Sequence, residues 1–114
     1  MEARAAPRIS VDLPVSFVSE EGPGEGTIYN ISEGGCAVQT TSHVPEQTYV
    51  RLQVPVPDGG PPVNIDFASV RWSTRDEFGL KFLQMRGEGR SRLERWLRKM
   101  RADALSKQNA GAEG

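Results

Sequence analysis

The sequence has one cysteine, one histidine, no long apolar run and almost no net charge, and each shortage closes off a class of function. Cys36 has no second thiol to pair with, so no internal disulfide can form, which fits a reducing cytoplasm. His43 and Cys36 have no acidic pair at ligand spacing around them, so three protein ligands for a metal cannot be assembled. No nucleophile elbow lies near His43, and the phosphate-cradling loops GxxxxGK[ST] and GxGxxG are missing. A protein that is not an enzyme, and that holds no metal or cofactor, is the expectation. With no bilayer-length apolar stretch and no basic-then-apolar leader, it is expected in the cytoplasm without membrane insertion. A net charge of −1 speaks against a polybasic nucleic-acid binder, so no DNA partner is expected.

What the 114 residues do contain is alternation. Ile9, Val11, Leu13, Val15 and Phe17 alternate with Ser10, Asp12, Pro14 and Ser16, which predicts a strand with one buried face. Pro14 implies an edge or a local bend, and residues 20–24 read as a loop. Further strands are predicted from about Gly26 to Ser32 and from Cys36 to Thr40. Three more hold Val50–Val56, Val63–Trp72 and Phe78–Phe82. In the fifth, the phase of Val63, Ile65 and Phe67 slips to that of Val70 and Trp72, which predicts a bulge at Ala68–Ser69. Leu93, Trp96, Leu97 and Met100 then fall at helical spacing, with Ser91 as the expected N-cap. The fold expected is mainly β, a six-stranded antiparallel barrel with a C-terminal helix packed on it. It forms one domain over 1–105: a flexible arm at 1–8, the barrel at 9–83, the helix at 90–105, and a disordered tail at 106–114.

Charge is divided unevenly along this plan. Residues 1–85 carry 6 basic and 11 acidic side chains, whereas residues 86–114 carry 8 and 4. A basic helix on an acidic barrel is either a solvated face or a docking surface for an acidic partner.

Two polar clusters stand out. In the arm, Arg4 and Arg8 are separated only by Ala5, Ala6 and Pro7. Pro7 favours extended chain before it, which sets the two arginines about 13 Å apart, a span suited to wrapping around a small dianion. The second cluster is Asn30-Ile31-Ser32-Glu33-Gly34-Gly35, between two predicted strands. An extended segment there points Ile31 to the core and holds Asn30 and Ser32 together outside it. Gly34 and Gly35 permit a positive φ or a close approach of backbone to a ligand.

Arg4-x-x-x-Arg8 followed by Asn30-x-Ser32-x-x-Gly35 resembles the paired signature of PilZ domains, and the resemblance extends over about residues 4 to 100. It implies a bacterial receptor for the second messenger cyclic di-GMP, with Arg4, Arg8, Asn30, Ser32 and Gly35 as ligand-binding residues. The chemistry of those residues agrees. Arginine pairs bidentately with phosphate or with guanine O6 and N7. Asn30 offers a donor and an acceptor, and Ser32 a hydroxyl. Ala3 stands where many members have another arginine, which favours one bound dinucleotide per site over a stacked pair. Gly34, Arg71 and Trp72 are further candidates. Trp72 follows the phase of Val70 into the core, or at the barrel rim its ring stacks on guanine. On this reading the protein is a small stand-alone receptor whose arm folds over the ligand and signals to an unidentified protein partner. An adaptor of the same fold that binds no nucleotide is the alternative, and a small barrel binding single-stranded RNA is a third.

Overall fold

In the computed structural model, which describes residues 8–113 and side chains as far as Asp103, the period-two segments become six strands. They are β1 (Ile9–Ser19), β2 (Gly22–Ile31), β3 (Gly35–Thr40), β4 (Tyr49–Val54), β5 (Val63–Ser73) and β6 (Glu77–Met85), followed by helix α1 (Gly89–Glu113). Of the arm only Arg8 is described; Arg4 lies outside the described residues. Neighbouring strands pair antiparallel in the order β1-β2-β3-β6-β5-β4, and β4 returns to β1 through Phe17 opposite Leu52. The barrel closes through a short β1–β4 seam, Ser16–Val18 against Arg51–Gln53, and α1 lies against β1 as well.

The interior is filled by the inward side chains of every strand, among them Phe17, Ile28, Val38, Leu52, Ile65 and Phe78. Phe17 and Phe78 meet edge to face across it, with centroids 5.3 Å apart. Pro14 faces outward opposite Thr27, and the ladder shifts just before it, between Ser10 and Leu13. Leu93, Trp96 and Leu97 are buried where α1 lies against β5 and β1. Arg92 fixes the start of the helix to the β4–β5 loop, with Nε and Nη2 donating to Asp58 at 2.9 and 2.7 Å. Among the described residues no helix is long and apolar enough to cross a membrane.

Several boundaries differ from the sequence reading. The loop expected at residues 20–24 is a tight hairpin: β2 already begins at Gly22, whose φ of 111° makes the turn. The helix begins at Gly89, so Ser91 is no N-cap; its hydroxyl donates instead to the Glu88 carbonyl at 3.1 Å. It also continues to Glu113, past the expected end at 105 and through the stretch expected to be disordered. Residues 104–110 contain neither glycine nor proline and are rich in helix formers, so nothing in them stops it.

The fifth strand departs most. Its register shifts flank Phe67, between Ile65 and Phe67 and between Phe67 and Ala68, rather than falling at Ala68–Ser69. Phe67 is therefore turned out of the core and Ala68 turned in. A third shift, between Val70 and Trp72, turns Trp72 outward as well, against the phase of Val70.

Candidate functional site

The corner between β2 and β3 owes its shape to one extra residue. A shift in the β2–β3 ladder between Ile28 and Asn30 lets Ile28 and Ile31 both enter the core. Tyr29 and Asn30 are left side by side, half-buried, on the outside. The chain then reverses in a two-residue loop, Glu33-Gly34, closed by the Ser32 N–H donating to the Gly35 carbonyl at 2.8 Å. Ser32 is buried here, not beside Asn30 as simple alternation predicts, because the strand has ended and the turn folds over it. Its hydroxyl accepts the Gly34 N–H at 3.2 Å, which leaves the O–H proton to donate elsewhere.

Gly35 is required by close approach, but to protein. It has no positive φ, and neither does Gly34. A Cβ on Gly35 would overlap the Leu80 carbonyl of β6 and lie 3.5 Å from Arg8 Nη2. The bare backbone thus lets β3 seat on β6 and gives the Arg8 guanidinium room beside it. The corner is also clamped from β6 by the Phe82 N–H, which donates to the Gly34 carbonyl at 2.8 Å. Gly34 itself faces open space.

Arg8 reaches this corner. It precedes β1, where Ile9 pairs with Ile31 and Ser10 with Asn30, and its Nη1 donates to Asn30 Oδ1 at 3.0 Å. The guanidinium is exposed, with further N–H groups to offer. Its positive charge is felt by Tyr29 and Cys36, though burial decides both. Desolvation, together with donation to Glu77, pushes the Tyr29 phenol up to about 12. Burial pushes the Cys36 thiol up to about 12. Cys36 is thus an inert core residue.

Trp72 belongs to the same row of paired residues. Ser10, Asn30, Ala37, Gly79 and Trp72 follow one another across β1, β2, β3, β6 and β5. The indole covers Gly79, where any Cβ would overlap Nε1. Asn30 and Trp72 are three strand spacings apart, about 14 Å, and between them stand only alanine and glycine. Arg8 and Asn30 thus lie at one end of this row and the partly exposed Trp72 indole at the other, with Ala37 and Gly79 buried between them. Arg71 is exposed, and no contact among the described residues joins it to Arg8 or Asn30.

Two residues of the corner escape motif reading. Glu33, a variable position of the motif, accepts from Arg101 of α1 at 2.9 and 3.0 Å. This pairing holds the Glu33 carboxyl below its usual range against the cost of its burial. The opposite charges of helix and barrel were the only signal for this contact, and they carry no position. A hollow of about 1150 Å³ lies elsewhere, lined by Phe17, Pro23, Arg51, Asn64 and Arg92 among others.

A family model, the PilZ domain, matches residues 2–99. The chain belongs to the PilZ family. Solved structures agree on the fold. The Bacillus subtilis inhibitor of motility MotI/DgrA superimposes with a TM-score of 0.75 at 19% identity, over 90% of this chain and 53% of that one. YcgR of Escherichia coli, solved in complex with c-di-GMP, gives 0.74 at 15% identity, over 94% of this chain and 50% of that one. The PilZ domain of CeSA from a cellulose-synthesising bacterium gives 0.64 at 18% identity, over 84% and 99%. This PilZ domain therefore spans about half the length of the MotI and YcgR chains. Comparison with curated protein sequences found no match.

Proposed function

We propose that this PilZ domain is a receptor for cyclic di-GMP, which it binds at the Arg8–Asn30 corner, on the barrel face that runs toward Trp72. The observation that carries the reading is the meeting of the two motifs: Arg8, from the arm, sits on Asn30 and beside Gly35. That YcgR, of the same fold, was solved with c-di-GMP supports the choice of ligand.

Arg8 supplies a planar fork for a phosphate or for guanine O6 and N7. Asn30 both orients that fork and keeps its amide N–H₂ for the ligand. Ser32 sets the loop that presents Gly34 and Gly35, and its proton remains available to an acceptor. The Trp72 indole, which covers Gly79, offers a π-face to a base. Arg4, four residues earlier in the sequence, supplies a second guanidinium for the other side of the dinucleotide. Contact of the arm with the ligand then changes the surface that a protein partner meets.

The test is a titration of isotope-labelled full-length protein with cyclic di-GMP, with GTP and cyclic di-AMP as controls. Shifts centred on Arg4, Arg8, Asn30, Ser32, Gly35 and the Trp72 indole N–H are expected for cyclic di-GMP alone. No shift at these positions at saturating ligand favours the adaptor that binds no nucleotide.

A further inference from the structure

Phe67 is where a core residue should be. Val63 and Ile65 alternate inward before it, yet register shifts on both its sides turn it out and hand its place to Ala68. A bulge that re-aims one side chain is a built feature of a strand. Outside, the Phe67 ring stacks on Tyr49 of β4, with centroids 4.6 Å apart and planes within 10°. Leu83, on the neighbouring β6, points outward between Phe82, which faces Ala68, and Gln84, which faces Phe67. The three are 49%, 41% and 43% exposed for Tyr49, Phe67 and Leu83, a contiguous apolar patch on a barrel whose other strands face outward mainly with polar groups.

The surroundings are basic. Arg51, Arg71 and Lys81 are exposed on the same three strands. The carboxylate of Asp66 is already held by Arg86 at 3.1 Å, and exposed Glu46 lies in the connection leading into β4.

We infer that the outer face of β4, β5 and β6 is a docking surface for a protein segment that carries aromatic or aliphatic anchors flanked by carboxylates. The anchors cover the ring pair and Leu83, and the carboxylates meet Arg51, Arg71 and Lys81. A second copy of this chain fits poorly, since a two-fold contact sets the patch against itself and brings the three cations face to face. Single-stranded nucleic acid also fits poorly. Each ring has one face spent on the other, which leaves little for stacking of successive bases. This inference does not rest on nucleotide binding. The two surfaces are nevertheless joined, because Lys81 pairs with Gly35 of the corner on one side and with Ser69 on the other.

Selection of phage-displayed random peptides on the full-length protein, with counter-selection on the Phe67→Ser variant, tests it. Peptides rich in Asp or Glu with Phe, Leu or Trp are expected. Their affinity should fall at least about tenfold on Phe67→Ser or Tyr49→Ala. On Lys81→Glu it should fall less, and it should be regained by peptides whose acids are replaced with lysine. Because all three positions are exposed, the variants should keep the native amide spectrum. The inference is overturned if no peptide is enriched, if those enriched are basic, or if they bind Phe67→Ser equally well. Tighter binding of oligouridine than of any peptide, or self-association abolished by Phe67→Ser, also overturns it.

Discussion

Arg101 of the C-terminal helix grips Glu33 at the tip of the β2–β3 hairpin through both guanidinium ends, at 2.9 and 3.0 Å. The two residues are 68 positions apart in the chain, so this contact fastens the motif-bearing corner to the helix. Both side chains are somewhat under one-third exposed. The pair therefore contributes more than a fully solvated ion pair, about 1 kcal/mol.

Removing either partner should loosen the corner. Glu33→Gln and Arg101→Ala should each lower Tm by several degrees, at about 4–8 °C per kcal/mol for a domain of this size. The double variant should lose little more than either alone, which thermal melts arranged as a double-mutant cycle will read. If the single losses add in full, the two residues do not act through each other.

Acid should weaken the same contacts. The Glu33 carboxyl is held below its usual range by Arg101, and Asp58 is held at about 2 by Arg92. A carboxylate with a depressed folded-state pKa stabilises above its unfolded pKa and loses that contribution as pH falls through the folded value. Stability is thus expected to hold down to about pH 4.5 and then to decline toward pH 2. Glu33→Gln and Asp58→Asn should each flatten part of that decline in denaturant titrations across pH.

The two glycines of the corner should behave differently. Gly35→Ala sets a methyl against the Leu80 carbonyl, a backbone group that cannot step aside, so a loss of about 2 kcal/mol or more is expected. Gly34→Ala meets open space and should be nearly neutral. Equal effects of the two in urea unfolding would contradict this account of the corner.

Cys36 should not react in the native protein. Wholly buried and with its thiol pushed up to about 12, it should be labelled by a thiol reagent only at the rate of unfolding.

The barrel was legible from sequence because alternation of Val, Ile, Leu and Phe with polar residues has only one reading when each run is bounded by turn residues. What escaped was whatever depends on a slip in that alternation. Phe67 reads as core because the slip expected in β5 falls at Ala68–Ser69, just after it, whereas the shifts flank Phe67 itself. Trp72 reads as either core or rim, and a further shift decides for the outside. Ser32 was placed outside because alternation was carried one residue past the end of the strand. Arg8, Asn30 and Gly35 were found as a set because their spacing resembles a family signature. Glu33 and Arg101 were missed because a salt bridge between distant residues has no spacing to recognise.

The central claim is that Arg8 and Asn30 form one wall of a cyclic di-GMP site. Calorimetric titration of the full-length protein with cyclic di-GMP, alongside Arg8→Lys, Arg8→Ala and Asn30→Ala, tests it most directly. The account predicts saturable binding by the parent protein. For both Arg8 variants it predicts a loss of about thirtyfold or more, corresponding to about 2 kcal/mol, because lysine keeps the charge but not the fork. Binding by Arg8→Ala as tight as by the parent protein would contradict it.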